Sequence, residues 1–231
     1  MKYLIALLIF CGVALADALS EARELYSQGQ FLAAAQQFAK LNTSTGSAFA
    51  ARAYSIYAST LPEAQRETLY IQAEAQAQRA INQDKENPNS YLELARAIGQ
   101  LGVLRGIGVA LMQGTGSKVK QLLDKTLELQ NNHSGAMVAL AVWHAEVSAR
   151  GQLAVISLGA DVQQVEPLFK EALKIAPNNI GFRLEYARAY LAMNNRQKAR
   201  EQLQIALKLP IKDAEDKLYA ERAKIALERL P

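Results

Sequence analysis

Apolar positions along this chain recur at spacings of three and four, the pattern of a helix that buries one stripe of its surface. The run Phe169-x-x-Ala172-Leu173-x-Ile175-x-Pro177 is matched by Leu123-x-x-Thr126-Leu127-x-Leu129 and again by Leu203-x-x-Ala206-Leu207-x-Leu209-Pro210. Asn131-Asn132 and Asn178-Asn179 follow two of these runs and break the helix before the next one starts. A second string alternates with the first: Ala187-Arg188-Ala189-Tyr190 recurs as Ala95-Arg96-Ala97-Ile98, as Ala51-Arg52-Ala53-Tyr54, as Ala22-Arg23-Glu24-Leu25 and as Ala141-Val142-Trp143-His144. The step from Ala95 to Ala141 to Ala187 is a constant 46 residues, the mark of an internal repeat. Two helices per unit are expected, in about five hairpins. Residues 213–230 then read as a closing helix, with Asp213 as its cap and Leu218, Ala223, Ala226 and Leu230 as its apolar stripe. Glu221, Lys224 and Glu228 on the opposite face are expected in water.

Residues 180–210 carry Tyr186, Ala187 and Tyr190 on a first helix, Asn194 at a turn, then Ala199, Leu203, Ala206 and Pro210. Ala22, Gly29, Phe31, Ala34 and Phe38 give a second copy near the amino terminus. On these positions the chain resembles the tetratricopeptide repeat family, which prefers Gly where Asn194 stands. The resemblance implies an all-α, tetratricopeptide-like α-solenoid: small residues where paired helices approach, bulky ones between hairpins. It also implies that first helices line a concave face. The aligned strings put Arg23, Arg52, Arg96 and Arg188 at one position of that face, with Val142 the exception. Guanidinium groups suit carboxylate or phosphate, so a protein or peptide with an acidic surface is the expected partner. The competing reading pairs these arginines with acids on neighbouring helices, such as Glu93, Glu146 and Glu185, or leaves them in solvent.

Two consecutive units of 46 residues exceed the usual length of about 34, leaving about twelve additional residues in each. The additions are apolar, Leu101 to Met112 in one and Leu153 to Leu158 in the other, and apolar surface of that extent needs cover. One expectation has them lengthen helices that bury each other. The other has Leu104, Ile107, Val109 and Leu111 wall a pocket for the tail of an amphiphile. Six glycines, from Gly99 to Gly116, cluster there and permit tight turns. Gly114-Thr115-Gly116-Ser117-Lys118 is not a phosphate loop, which needs Lys directly after its last Gly and a preceding strand. Trp143 and His144 are expected to pack in the core, with His144 paired to a backbone group.

The run Val142 to Ser148, the later Glu171-Ala172-Leu173 and the ending Leu209 to Lys217 resemble the helical domain of the regulator of microtubule dynamics family, over residues 120–230. Members of that family include membrane-contact tethers whose helical domain binds phospholipid. The resemblance therefore implies phospholipid as a candidate ligand.

Composition narrows the function classes. Half of the residues are hydrophobic and 21% are charged, the balance of a folded chain. Lys2, the apolar run Tyr3 to Val13, and Ala14-Leu15-Ala16 read as a signal peptide over residues 1–16, with the folded domain over 17–231. At fourteen residues, Tyr3 to Ala16 is short of the roughly twenty that span a bilayer, so no stable membrane anchor is expected. Export is expected, to the periplasm in a bacterium and otherwise by secretion. Cys11 would leave with the signal, and the rest has no disulfide and only His133 and His144 as imidazole ligands. No cofactor or metal is expected. With no GxSxG motif and no paired carboxylates, neither is catalysis. The net charge of +4 falls to +3 without Lys2 and is spread along the chain, which excludes a nucleic-acid footprint. The function expected is thus a non-catalytic scaffold binding protein through its concave groove. The alternative is a lipid or amphiphile carrier with a pocket at the two insertions.

Overall fold

The computed structural model describes residues 16–230, apart from the side chain of Ile107. The signal-like segment lies outside the described residues as far as Leu15, and so does Cys11. The described residues form helices joined by short turns and contain no strand. They divide into two compact units that meet in sequence at Leu104 and Arg105.

In the first unit, helix α1 occupies residues 16–27 and is followed by α2 (Phe31–Lys40), α3 (Ser44–Thr60), α4 (Glu67–Gln83) and α5 (Pro88–Arg105), whose last residue passes into the second unit. Turn chemistry sets the boundaries. Gly29 has φ 84° between α1 and α2, a conformation that costs glycine nothing. Thr43 caps α3 by accepting from the Gly46 amide at 3.1 Å. The core is built on small residues, Ala22, Ala34, Ala50, Ala53, Ala73 and Ala97, against Phe38 and Tyr54. Alanine brings helix axes close together, and the aromatic rings fill the space that remains.

The second unit contains α6 (Ile107–Met112), α7 (Thr115–Leu129), α8 (Ser134–Ser148), α9 (Gln152–Leu158), α10 (Val165–Ile175), α11 (Ile180–Ala192), α12 (Arg196–Ala206) and α13 (Ala214–Glu228). α8 pairs with α10, α11 pairs with α12, and α13 packs on both members of that last hairpin. Asn179 caps α11 through the Phe182 amide and Asn195 caps α12 through the Lys198 amide. Asn194 has φ 59°, so the position where the repeat family prefers glycine does require a left-handed residue.

The repeat alignment corresponds to burial. Ala22, Ala51, Ala95, Ala141 and Ala187 are all buried, and so are Leu123, Phe169 and Leu203 together with Thr126, Ala172 and Ala206. Thr126 is the one polar member, and its hydroxyl donates to the Leu122 carbonyl one turn back. The closing helix is present and Asp213 caps it, accepting from the Asp216 amide at 2.8 Å. Its stripe differs in part from the expectation. Ala223, Ala226 and Leu230 belong to the core, Tyr219, Ala220 and Leu227 join them there, and Leu218 is half-buried. Glu221, Lys224 and Glu228 are exposed.

Candidate functional site

Three of the four aligned arginines, Arg23, Arg52 and Arg96, belong to the first unit, and Arg188 belongs to the second. Glu93 and Arg96 lie one turn apart on α5, where side chains three residues apart share a face. Arg96 Nη1 donates to Glu93 Oε1 at 2.7 Å, and Arg52 Nη1, reaching over from α3, stands 3.9 Å from the same oxygen. Arg52 Nε also donates to the Tyr26 hydroxyl at 3.1 Å. Glu93 is only 4% exposed, and its Oε2 has no hydrogen-bond partner among the described residues. Two guanidinium groups therefore face one buried carboxylate. Arg23 is exposed and rests over the Phe49 ring at 5.5 Å.

The second unit repeats this arrangement with an extra acid. Arg188 Nη1 donates to both oxygens of Glu185, at 3.0 and 3.1 Å, and its Nη2 lies 3.7 Å from Glu146 on α8. The Glu185 carboxylate holds Arg188 still more firmly protonated. Burial pushes the Glu146 carboxyl above the usual carboxylate range, against the pull of Arg188. Arg52, Arg96 and Arg188 thus have the acidic neighbours of the competing reading, and Arg23 sits on an aromatic ring instead.

The insertions form short helices whose apolar side chains point outward. Gly106 (φ 90°) and Gly151 (φ 100°) stand at the helix breaks in conformations that side chains rarely adopt, so α6 and α9 are separate helices and not continuations of the ones before them. Leu111 is 68% exposed, Met112 90%, Leu153 84% and Ile156 71%, and Val109 is exposed as well. Leu104 belongs to the first unit, where it packs partly buried beside Tyr70 and Leu101. Burial of the insertions, the first of the two expectations, holds in part: Leu101 is buried, Ala110, Ala154, Val155 and Leu158 are half-buried, and Val103 at the end of α5 is exposed. Leu158 lies so close to Gly116 that a Cβ there would meet its Cδ1 at 3.0 Å.

Trp143 and His144 are structural, as expected. The indole Nε1 donates to the Gly116 carbonyl at 2.9 Å, and His144 Nδ1 accepts from the Asp161 amide at 2.9 Å, tying α8 to the turn after α9. Burial, aided by Lys120, lowers the His144 pKa, and Asp161 and Asp124 oppose that shift.

Sequence reasoning missed one feature of the second unit, a groove of about 540 Å³ bounded by α10, α11 and α12. Phe169, Tyr186 and Tyr190 stack beside it with centroids 4.1 and 4.5 Å apart, and the Tyr190 hydroxyl donates to Tyr186. Lys170 and Lys174, one turn apart on α10, and Arg183 on α11 bring positive charge to it. The i, i+4 lysines were the only signal in the sequence, and nothing local ties them to Arg183.

The sequence profile of the family described as regulator of microtubule dynamics protein 1-3 matches residues 18–154, more than half of the chain. The chain belongs to that family. The matched segment extends further toward the amino terminus than the 120–230 of the sequence resemblance. It contains Val142 to Ser148 and leaves Leu209 to Lys217 outside. A tetratricopeptide repeat profile matches residues 160–225. Among solved structures, the thermophilic TPR protein TTC0263 of Thermus thermophilus is similar with a TM-score of 0.66 at 17% identity, over 91% of this chain and 99% of that one. At that identity the likeness establishes the fold, an all-α solenoid of tetratricopeptide type. YrrB, described as a TPR protein with an unusual peptide-binding site, gives a TM-score of 0.42 at 17% identity over 90% of each chain. No curated protein matches.

Proposed function

We propose that this protein is an exported, non-catalytic scaffold that binds an acidic protein partner through first-helix arginines, Arg52 and Arg96 above all. The observation that carries this reading is the convergence of Arg52 and Arg96 on the buried Glu93 carboxylate, which holds two guanidinium groups side by side with roughly a third of each side chain still in solvent. A carboxylate from a partner can be received on that exposed part, and a planar guanidinium fixes its orientation. Repeat scaffolds present such surfaces without chemistry of their own. An array of acidic and neutral peptides probed with residues 17–231 tests this. Selective retention of acidic peptides, lost with Arg52→Ala plus Arg96→Ala and weakened by salt, supports the proposal. Equal retention by the double variant overturns it.

A second reading rests on α6 and α9, and it modifies the pocket expected from the sequence. Their apolar side chains stand out from the surface, and the segments 94–123 and 147–160 contain no acidic residue, whereas Arg105, Lys118 and Arg150 are exposed beside them. Projecting apolar groups flanked by positive charge suit an anionic lipid surface better than an enclosed tail. Native mass spectrometry separates the two forms: a retained lipid adduct supports an enclosed tail, and a clean mass with vesicle adsorption supports surface docking.

A further inference from the structure

The groove between α10, α11 and α12 has a charge problem that the fold leaves unsolved. Arg183 Nη1 donates to the neutral amide oxygen of Gln202 at 2.9 Å, while Arg183 Nε is buried without a hydrogen-bond partner among the described residues. No described carboxylate pairs with this guanidinium, unlike that of Arg188. A partly buried cation with only a neutral partner has lost hydration without gaining a counter-charge. Burial accordingly lowers the Arg183 pKa, and no carboxylate counters that shift.

The acids lining the groove are already engaged. Glu166 pairs with Lys198 and lies 3.6 Å from Lys170, and Glu201 accepts from the Gln197 amide at 3.0 Å. Against these two carboxylates the lining carries four cations, Lys170, Lys174, Arg183 and Lys198; Glu171, just outside the lining, pairs with Lys174 at 2.6 Å, and four cations against three acids still leave the groove net positive. Its aromatic faces are not open for stacking. Tyr186 is sandwiched between Phe169 and Tyr190, and Lys198 sits 5.3 Å over the Tyr190 ring. What the groove can still receive is a negative charge.

We propose that this groove binds an oxyanion, a carboxylate or phosphate group, on the Arg183 guanidinium, with Lys170 and Lys174 at the rim. The planar guanidinium fixes the orientation of the oxyanion, and the two lysines add charge without geometry. The site lies wholly within the second unit and involves none of the four aligned arginines, so it stands or falls separately from the scaffold reading.

The test is a nuclear magnetic resonance titration of residues 17–231, following the Arg183 side-chain Nε–H signal, with inorganic phosphate and with glutarate against sodium chloride of matched ionic strength. Saturable shifts with phosphate alone identify a phosphoryl ligand, shifts with glutarate alone a carboxylate, and shifts with both a general oxyanion site. Each of these supports the proposal. Arg183→Gln is expected to weaken binding about tenfold or more, because the charge-assisted contact is lost. The exposed pair Lys170→Ala with Lys174→Ala is expected to keep the fold and weaken binding several-fold, which decides the matter if Arg183→Gln does not fold. An equal response to chloride, no saturable response, or unchanged affinity in both variants overturns the proposal.

Discussion

Arg96 donates to Glu93 Oε1 at 2.7 Å from one turn further along α5, and the carboxylate that accepts is buried while the guanidinium is not. The asymmetry makes Glu93 the more consequential partner. Its removal takes away the carboxylate on which Arg52 and Arg96 converge, whereas an arginine can turn toward water.

Glu93→Gln preserves shape and hydrogen-bonding capacity but removes that charge. A broken buried pair costs about 3–5 kcal/mol. Both arginines keep roughly a third of their side-chain surface in solvent, so we expect about 1–2 kcal/mol here after screening. Arg23→Ala, at an exposed site on a ring face, should stay within about 0.5 kcal/mol. Urea unfolding of both variants checks the pair, and a Glu93→Gln protein as stable as the parent contradicts it.

The reach of the sequence follows from the same kind of comparison. The repeat offset located the Ala95, Ala141 and Ala187 positions, which are all buried, because close helix approach leaves a small-residue signature at fixed spacing. The acids near the arginines were legible too, since Glu93 and Glu185 stand three residues before Arg96 and Arg188. The separation of α6 and α9 from the helices before them was not, because it depends on the φ angles of Gly106 and Gly151, which a sequence does not record. Nor was the groove at Arg183, whose lining comes from three helices and whose guanidinium has a neutral partner, Gln202, and no carboxylate among the described residues.

Stability should fall on acidification through His144. Its Nδ1 accepts from the Asp161 amide, so the folded state favours the neutral ring, and its pKa lies below the ordinary 6.5. Between the folded and unfolded values the unfolded chain binds the extra proton. The contribution is therefore complete above about pH 6.5 and is lost as pH falls through the folded value. Lys120, Asp124 and Asp161 are the charged groups that act on it. Melting temperatures at about pH 7.5 and 5.5 should differ more in the parent than in His144→Gln. An identical difference in both would assign the pH dependence to other groups.

Gly181 marks where the closing helix is seated. A Cβ at this position would meet Tyr219 Cε2 at 2.8 Å and Cδ2 at 2.9 Å, so Gly181→Ala must displace the Tyr219 ring that packs α13 against the start of α11. Overpacking of this kind costs about 1–3 kcal/mol. Deletion of 213–231 removes the ring together with Ala223, Ala226 and Leu227, which belong to the core of the last hairpin, and should promote aggregation. Calorimetry and light scattering measure the two effects, and a truncated protein with the parent's melting temperature would show that α13 is dispensable.

Export predicts a mature amino terminus at Asp17, the residue after Ala14-Leu15-Ala16. Amino-terminal sequencing of protein recovered from outside the cytoplasm checks it, and recovery with Met1 intact contradicts it.

The two short helices make the sharpest distinction between partners. Leu111 on α6 and Leu153 on α9 are exposed, so replacing both with Glu should leave the fold nearly unchanged, since surface substitutions stay within about 0.5 kcal/mol. On an anionic bilayer the same change opposes adsorption twice, by removing apolar groups that enter the interface and by adding negative charge where Lys118 and Arg150 provide attraction. Flotation with vesicles containing phosphatidylserine should then show the parent bound at low salt, less of it bound as salt rises, and the double variant unbound. Neutral phosphatidylcholine vesicles should retain little of either protein. If the parent ignores both vesicle types yet retains acidic peptides through Arg52 and Arg96, the exposed leucines are not a lipid contact and the scaffold reading stands without it.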